Sequence, residues 1–373
     1  MKYTDRAWAE INLSALRSNL RTLRQLGHHE VMGVVKANAY GHGLAEIAMA
    51  LQKEKVCWFG IARVSEGISL RLAGITSNIL MLCPATPSEY KDLIEYKITP
   101  ILGDSTAIDL FVSHKPDTQY PVHLDIETGM GRSGILPEEA VLQWKRATSL
   151  GLFVNGICSH YHSADCDNIE DTLAQKEIFE KVYRELKCAG AQLKYIHLEN
   201  SPSLLGKVSS SITNMVRPGL LLYGISPPNS SGPIMEPVFS LKARVGSVRR
   251  LPKGHTISYG ATHILSRDST VATVMIGYGD GYPRRLSNSG SVLLHDHKVS
   301  ILGRVCMDQC VVDVTDICSS DSDNPVQVGD IATLIGKDRR AQISVEEIAT
   351  LIDTTEHEIT TGISPLLPRV YLD

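Results

Sequence analysis

A lysine that closes a short apolar run is the first residue of this sequence with a setting suited to chemistry. The stretch GVVKANAYGHG runs from Gly33 to Gly43 and places Lys36 directly after two valines, with a tyrosine and two glycines close behind. At the end of a buried strand, a lysine is either a solvated charge or a nucleophile that condenses with an aldehyde. The position of Lys36 alone does not decide between these interpretations.

Polar residues follow several later apolar runs in the same way. They are Arg132, His160, Asn200, Ser201 and Arg217, and Gly219 lies just beyond the last of them. If these runs are parallel strands of one barrel, their carboxyl ends share one mouth. We therefore expect these residues to meet there.

The elements that would position them alternate between strand and helix. From residue 31 onward, β-branched apolar runs are separated by segments of helical period, which is typical of parallel strands joined by crossover helices. Eight runs qualify as strands, namely VMGVVKA, CWFGIA, ILMLC, ITPIL, YPVHLDI, LFVNGICSH, LKYIHLE and NMVRPGLLLYG. They predict an α/β protein with an N-terminal (β/α)8 TIM-type barrel. A doubly wound open sheet is the alternative.

The pattern changes after Gly224. The stretch SPPNSSGP is typical of a linker, and the later runs, such as KARVGSVRRL, HTISYG and TVATVMIGYG, alternate or are β-branched. They predict a mainly β C-terminal domain.

Ser201 bears on the ligand of the predicted mouth. It opens a short helical stretch after the seventh strand, and barrels often bind phosphate with the loops after strands seven and eight. A lysine that faces a phosphate site indicates pyridoxal 5′-phosphate, with the lysine holding the aldehyde. For Ser201 alone, an ordinary helix cap is an equally good interpretation.

Composition limits the class of protein. A formal net charge of -4, without long basic runs, argues against a nucleic-acid partner. The eight cysteines form no CxxC pair and favour a reduced, cytoplasmic protein. No apolar run is long enough to span a membrane, and the first residues do not resemble a signal peptide.

The run VVKANAYGHG resembles the cofactor-lysine signature of alanine racemases. Further stretches similar to that family are AWAEINLSAL, ETGMGRSG, NMVRPG, ISYG, IGYGDGYPRRL and GRVCMDQ, which follow in family order over essentially the whole chain. The resemblance implies a barrel domain over 12–228 and a β domain over 229–373, which an N-terminal strand within 1–11 joins. It also implies a homodimer with shared active sites and a small amino-acid substrate.

The resemblance also implies residue roles. Lys36 is the Schiff-base lysine and the base for the D-side proton, and Tyr259 from the other subunit is the base for the L-side proton. The implied cofactor contacts are Lys36, Tyr40, Arg132, His160, Asn200, Ser201, Arg217, Gly219 and Leu220. The implied substrate contacts are Arg132, Met307, Tyr278 and Tyr259.

Two of these roles carry physical expectations. A free tyrosine has a pKa of about 10, so we expect positive charge on His160 and Arg217 to lower the pKa of Tyr259. Arg217 cannot readily lose a proton, so the pyridine nitrogen that it faces should stay unprotonated. Weaker electron withdrawal should then limit transamination.

Two positions depart from the family pattern. Asp125 stands near a place where many members carry a carbamylated lysine, and Pro365 replaces a frequent tyrosine. Loss of that phenol would leave room for a more polar substrate. The resemblance itself implies racemisation of alanine, to supply D-amino acid for peptidoglycan precursors. The alternative is the serine racemase domain of a vancomycin-resistance system, cut from a longer membrane-anchored protein.

Other classes of protein remain as rivals. A non-catalytic protein that binds pyridoxal phosphate would lack the β domain and Tyr259, and a decarboxylase of related fold fits the length poorly. A dinucleotide loop at GMGRSG lacks the required acidic strand end. A metal site in HYHSADCD, as in a barrel hydrolase, lacks a second group of ligands.

Overall fold

The computed structural model describes residues 5–27, 30–166, 168–206, 208–226, 232–318 and 325–373. The chain forms two compact units. One unit holds Leu16–Glu236, and the other combines the N-terminal segment up to Ala15 with Pro237–Asp373.

A closed parallel barrel dominates the first unit, as predicted, and the doubly wound alternative is wrong. Strand β1 (Ala7–Asn12) precedes the barrel and belongs to the other unit. The barrel strands are β2 (Glu30–Val34), β3 (Trp58–Ile61), β4 (Asn78–Met81), β5 (Thr99–Leu102), β6 (Pro121–Asp125), β7 (Phe153–Cys158), β8 (Tyr195–Asn200) and β9 (Met215–Arg217). Strand β9 pairs with β2 and closes the barrel.

Helices follow the strands as the periodicity predicted. They span Leu44–Lys53, Val64–Leu72, Tyr90–Glu95, Ser105–Ser113, Ala140–Ser149, Glu170–Cys188 and Ser201–Leu205. A further helix, Leu13–Gln25, was not predicted, although Leu16, Leu20 and Leu23 bury one face at helical spacing. Side chains fill the barrel interior, where Met32, Trp58, Leu80, Ile101, Cys158 and Met215 pack together.

The last predicted barrel strand is shorter than expected. The run NMVRPGLLLYG is a strand only from Met215 to Arg217, and Leu220–Tyr223 forms a 3₁₀ helix. All four residues of this helix are buried. A short apolar run that is buried on every side has the same sequence pattern whether it forms a strand or a helix, which explains why a strand was predicted here.

The second unit is a mainly β domain, as predicted. Besides β1, its strands are β10 (Phe239–Leu251), β11 (Thr256–Ile257), β12 (His263–Ile264), β13 (Ser269–Val274), β14 (Ser291–Leu294), β15 (His297–Leu302), β16 (Cys310–Asp313), β17 (Ile331–Asp338), β18 (Ala341–Ile343) and β19 (Arg369–Leu372). They form a nine-stranded sheet of the order β18-β17-β14-β15-β16-β13-β10-β1-β19, and β11 and β12 form a separate pair. Strand β1 pairs antiparallel with β10 and parallel with β19.

Two short helices of this unit, Val345–Leu351 and Glu356–Gly362, were not predicted. Among the described residues, none lies in a helix both long and apolar enough to cross a membrane.

Candidate active site

Lys36 begins a left-handed turn at the carboxyl end of β2. Ala37, Asn38, Ala39 and Tyr40 have φ angles of 52°, 56°, 53° and 53°. Each L-residue in this conformation costs about 1–2 kcal/mol, so the turn needs compensating bonds. The amide of Ala39 donates to the carbonyl of Val35 at 2.8 Å, and that of Gly41 donates to Ala37 at 3.0 Å. We call Lys36–Tyr40 the lysine turn.

Two side chains connect the lysine turn to its surroundings, Glu66 from outside the turn and Asn38 from within it. Glu66 accepts a hydrogen bond from the Ala37 amide at 2.6 Å through one oxygen, and from the Ala62 amide at 2.9 Å through the other. Asn38 accepts a hydrogen bond from the Leu44 amide at 2.9 Å. The backbone around Lys36 is therefore tied to the loop after β3 and to the following helix.

The lysine turn places Tyr40 in a buried position. Its ring lies 5.1 Å from the ring of Tyr223, whose hydroxyl donates to the carbonyl of Val34 at 2.9 Å. Burial raises the pKa of Tyr40, which keeps the phenol protonated and able to donate. A Cβ on Gly219 would overlap the Tyr40 hydroxyl. Only glycine therefore lets the backbone approach Tyr40 this closely.

Ser201 joins Tyr40 and Gly219 in one cluster. Its Oγ accepts hydrogen bonds from the amides of Gly219 at 2.8 Å and Leu221 at 3.4 Å. Because the hydroxyl accepts these bonds, its own hydrogen stays available for another acceptor. Leu220 lies between these two amides, and Asn200 caps the short helix by accepting from the Ser203 amide. Two hydroxyls beside backbone amides at a glycine fit a phosphate group.

Arg217 lies buried at the end of β9. Its Nη1 donates to the carbonyl of His197 at 2.7 Å, and its Nη2 donates to the carbonyl of Ser159 at 2.5 Å. The same nitrogens contact Nδ1 of His197 at 2.7 Å and Nδ1 of His160 at 3.2 Å. A guanidinium group only donates, so both Nδ1 atoms must be acceptors, and neither imidazole is protonated there.

The charge predicted on His160 is therefore wrong. Burial lowers its pKa to about 3, and the nearby cations of Arg217, Arg132 and Lys36 act in the same direction. His160 is thus a neutral acceptor for Arg217 rather than a second cation.

A line of buried imidazoles continues from Arg217 into the barrel. His197 Nε2 lies 2.7 Å from Nδ1 of His123, and burial lowers the pKa of His123 to about 3. A Cβ on Gly156 would come within 2.7 Å of the His123 ring, so the strand beside it requires glycine. Sequence reasoning missed His123 and His197. Their alternation with apolar neighbours in YPVHLDI and LKYIHLE was the available signal.

Arg132 is exposed in the loop after β6. Asp125 accepts a hydrogen bond from Ser133 Oγ at 2.8 Å, and the thiol of Cys158 lies 3.8 Å from its other oxygen. Burial raises the pKa of Asp125, and the charges of Arg217 and Arg132 lower it. Asp125 therefore anchors the loop that carries Arg132 through its hydrogen bond from Ser133.

Tyr259 lies in the second unit, in a turn rather than in the strand that HTISYG predicts. The strand ends at Ile257, and Tyr259–Ala261 forms a 3₁₀ turn. Ser258, Gly260 and Ala261 have φ angles of 63°, 73° and 47°. The side chain of Tyr259 is 71% exposed in the single chain. We call Ser258–Ala261 the tyrosine turn.

Residues 304–307, which include Met307, connect the tyrosine turn with Tyr278. Ser258 Oγ donates to the carbonyl of Arg304 at 2.6 Å, and the Tyr278 amide donates to the carbonyl of Cys306 at 3.0 Å. Tyr278 is 42% exposed and Met307 is 54% exposed. The structure therefore links Tyr259, Tyr278 and Met307 through residues 304–307.

Pro365 lies in an exposed turn before β19. The amide of its neighbour Ser364 donates to the carbonyl of Asp280 at 3.0 Å.

The interpretation of HYHSADCD as a metal site gains no support. Within the described ranges, no group of three or more His, Cys, Asp and Glu side chains could hold a metal ion. Asp167 of that stretch lies outside the described residues.

The comparisons with known proteins agree over both units. A family model described as alanine racemase, N-terminal domain, matches residues 11–227, and one described as alanine racemase, C-terminal domain, matches residues 238–371. The alanine racemase of Carboxydothermus hydrogenoformans is 38% identical and covers 98% of this chain and 99% of its own. That of Halothermothrix orenii is 37% identical, with 99% and 98% covered.

Solved structures give the same result. An alanine racemase from Clostridium difficile 630 has a TM-score of 0.92 at 33% identity, covering 100% of this chain and 97% of its own. An alanine racemase from Bartonella henselae with covalently bound pyridoxal phosphate has a TM-score of 0.87 at 29% identity, with 99% and 100% covered.

Proposed function

We propose a two-base mechanism from the premise that this chain belongs to the alanine racemase family. The protein is an amino-acid racemase that interconverts L- and D-alanine, and its cofactor is pyridoxal 5′-phosphate. The observation that carries the assignment of residues is the meeting of Tyr40, Ser201 and Gly219 beside the strand that delivers Lys36.

The barrel residues hold the cofactor. Lys36 would hold pyridoxal phosphate in the resting enzyme; with an amino acid bound in place of the lysine, the cofactor would make the α-proton acidic by spreading the charge left behind, and the freed amine of Lys36 could act as a base. The hydroxyls of Tyr40 and Ser201 donate to its phosphate, and the backbone at Gly219 and Leu220 approaches the same group. Asn200 keeps Ser201 in place by capping its helix.

Arg217 faces the pyridine nitrogen in this proposal. Because a guanidinium group does not give up a proton readily, it leaves that nitrogen unprotonated. His160 and His197 orient the guanidinium as neutral acceptors. A shallower electron sink favours return of the α-proton over transamination. An Arg217→Glu enzyme should therefore produce more pyruvate from alanine.

Racemisation requires one group on each face of the substrate. Lys36 removes or returns the proton on the D side, and Tyr259 from a second copy of the chain does so on the L side. Arg132 binds near the cofactor's phenolic oxygen and the substrate, while Met307 and Tyr278 line the entrance.

We infer a homodimer because three large side chains meant for the active site are exposed in the single chain. Tyr259 and Tyr278 lie in separate turns that are hydrogen-bonded to residues 304–307, which include Met307. Exposed aromatic and thioether groups are typical of surfaces that a partner covers. The eight free thiols support a reducing, cytoplasmic compartment.

Two measurements test this function. Borohydride treatment of the yellow protein should fix the cofactor on the peptide that contains Lys36, as mass spectrometry would show. Turnover of L-alanine and L-serine, coupled to a D-amino-acid oxidase, should favour alanine. Attachment elsewhere would overturn the role of Lys36, and a large preference for serine would overturn the substrate.

Mixing two inactive variants tests the shared site. Lys36→Ala and Tyr259→Phe protomers should each be inactive, but a mixed dimer has one intact site. Random reassortment should restore about a quarter of the wild-type activity, since half of the dimers are mixed and each has one working site of two. If activity does not return, both bases belong to one chain.

A further inference from the structure

The residue before Tyr259 has a backbone conformation that serine rarely adopts. Ser258 has φ 63° and ψ −175°, a region that is essentially restricted to glycine. Serine is therefore an unfavourable choice for this position as far as the backbone is concerned. A side chain retained against that preference calls for a reason in its contacts.

The Ser258 hydroxyl ties the tyrosine turn to the neighbouring segment. It donates to the carbonyl of Arg304 at 2.6 Å and lies 3.3 Å from the thiol of Cys306. The two segments pack without spare room, because a Cβ on Gly303 would lie 2.6 Å from the Ile257 carbonyl oxygen and 2.8 Å from Ser258 Cβ.

Asn288 secures the same segment and the far end of the turn. Its side-chain Oδ1 accepts a hydrogen bond from the Gly303 amide at 2.7 Å, and its backbone amide donates to the Gly303 carbonyl at 3.1 Å. Its Nδ2 donates to Oγ1 of Thr262 at 3.1 Å. Tyr259 therefore sits between two side-chain anchors, Ser258 before it and Thr262 after it.

Few backbone hydrogen bonds hold the tyrosine turn internally. Within the described part of the chain, the turn has one internal backbone bond, from the Ala261 amide to the Ser258 carbonyl at 3.3 Å. The paired residues Ile257 and His263 close the turn at its base, and the direction of the exposed phenol between them is set further by the side-chain anchors. Of these, the Ser258 hydroxyl is the one closest to Tyr259 in sequence.

We propose that Ser258 is a positioning residue for proton transfer by Tyr259. Its hydroxyl holds the turn so that the phenolic oxygen is aimed at the α-carbon of the substrate. The proposal rests on the proposed role of Tyr259 as the L-side base. A displacement of about 1 Å can cost roughly 100-fold in rate, so loss of this anchor should be visible in turnover.

The main variant is Ser258→Gly, because glycine suits the backbone and keeps the fold. It should lower kcat for L-alanine by about 10- to 100-fold with little change in KM, while the melting temperature stays equal or rises. Ser258→Ala should lower kcat similarly. Ser287→Ala is the matched control, since its hydroxyl accepts from the Val305 amide at 3.1 Å on the same segment without touching Ser258. It should keep kcat within about threefold.

Isotope effects separate positioning from a general loss of structure. In each direction one base takes the α-proton and the other returns a proton to the opposite face. A misplaced Tyr259 makes its own transfer slower, so the effect on kcat/KM with α-deuterated L-alanine should rise in Ser258→Gly. The effect with α-deuterated D-alanine, whose proton Lys36 removes, should fall.

The outcomes are distinguishable. If the wild-type enzyme does not racemise alanine, or Tyr259→Phe leaves kcat unchanged, the proposed function fails. If both behave as expected but Ser258→Gly keeps wild-type kcat and isotope effects, Ser258 has no positioning role. Equal loss of rate in Ser287→Ala would also overturn the proposal, because the segment as a whole would then set the rate.

Discussion

The lysine turn and the tyrosine turn both place non-glycine residues at positive φ, but they are stabilised in different ways. The lysine turn has four such residues in succession, held by backbone bonds and by the carboxylate of Glu66. The tyrosine turn has one internal backbone bond and relies on the side chains of Ser258 and Asn288. The comparison indicates that Lys36 is held by many bonds and Tyr259 by a few.

The largest effects should come from removing the two proposed bases, Lys36 and Tyr259. Lys36→Ala should lose the cofactor attachment and its visible absorbance, and its activity should fall by more than about 10⁴-fold. Tyr259→Phe should keep the absorbance and lose about 10²- to 10⁴-fold in kcat. Absorbance spectra with coupled turnover would measure both. Loss of cofactor in Tyr259→Phe would contradict the separation of the two roles.

Of the single substitutions that affect the lysine turn without removing Lys36, Glu66→Ala should weaken the turn most. It removes three hydrogen bonds from the amides of Ala37, Ala62 and Arg63 to an ionised group. We expect the free energy of unfolding to fall by about 2 kcal/mol or more, and kcat to fall about tenfold.

A matched control keeps that result interpretable. Asp109→Ala removes the exposed pair with Arg146 on the outer helices and should leave stability almost unchanged, because solvent screens an exposed pair. Chemical denaturation and turnover would measure both variants. If kcat in Glu66→Ala equals the wild-type value, the backbone bonds alone hold Lys36.

His160→Gln should change how stability depends on pH. The folded pKa of His160 is about 3, below its ordinary value of 6.5. Between these pH values the unfolded chain binds a proton that the folded chain does not, so stability falls as the pH is lowered. Removing the imidazole should reduce that slope by up to about 1.4 kcal/mol per pH unit.

Denaturation at pH 4 to 7 would test this against the wild type. His123, whose folded pKa is also about 3, should leave a slope of the same sign in the variant. An unchanged slope would mean that His160 is protonated in the folded enzyme after all.

The smallest effect should follow from Ala37→Gly in the lysine turn. Glycine removes the cost of a left-handed residue, so stability should rise by up to about 1 kcal/mol while kcat stays within about twofold. Thermal unfolding and turnover would measure this. A loss of kcat as large as that expected for Ser258→Gly would show that the two turns are equally dependent on single residues.

The sequence predicted the barrel because its strands and helices differ in period, and that signal is local. It also led to Lys36, Ser201 and Arg217, since these stand at the ends of strand-like runs, and the family resemblance added Tyr40. The left-handed lysine turn could not be predicted in this way, because no glycine stands between Lys36 and Tyr40. Its conformation depends on bonds to distant residues such as Glu66.

The charge state of His160 was misjudged for a related reason. An isolated histidine near neutral pH is readily protonated, and only the burial of Arg217 against it fixes the imidazole as an acceptor. Strain at Ser258 is equally invisible, because the motif ISYG gives no sign of which residue takes the unusual φ.

The contact between Tyr40 and Gly219 constrains the order in which this site can change. A side chain at position 219 meets the Tyr40 hydroxyl first, so Gly219→Ala alone should be deleterious. After Tyr40→Phe, the same substitution meets a shorter ring. The two positions should therefore show strong epistasis, and a lineage that alters this contact has to change residue 40 before residue 219.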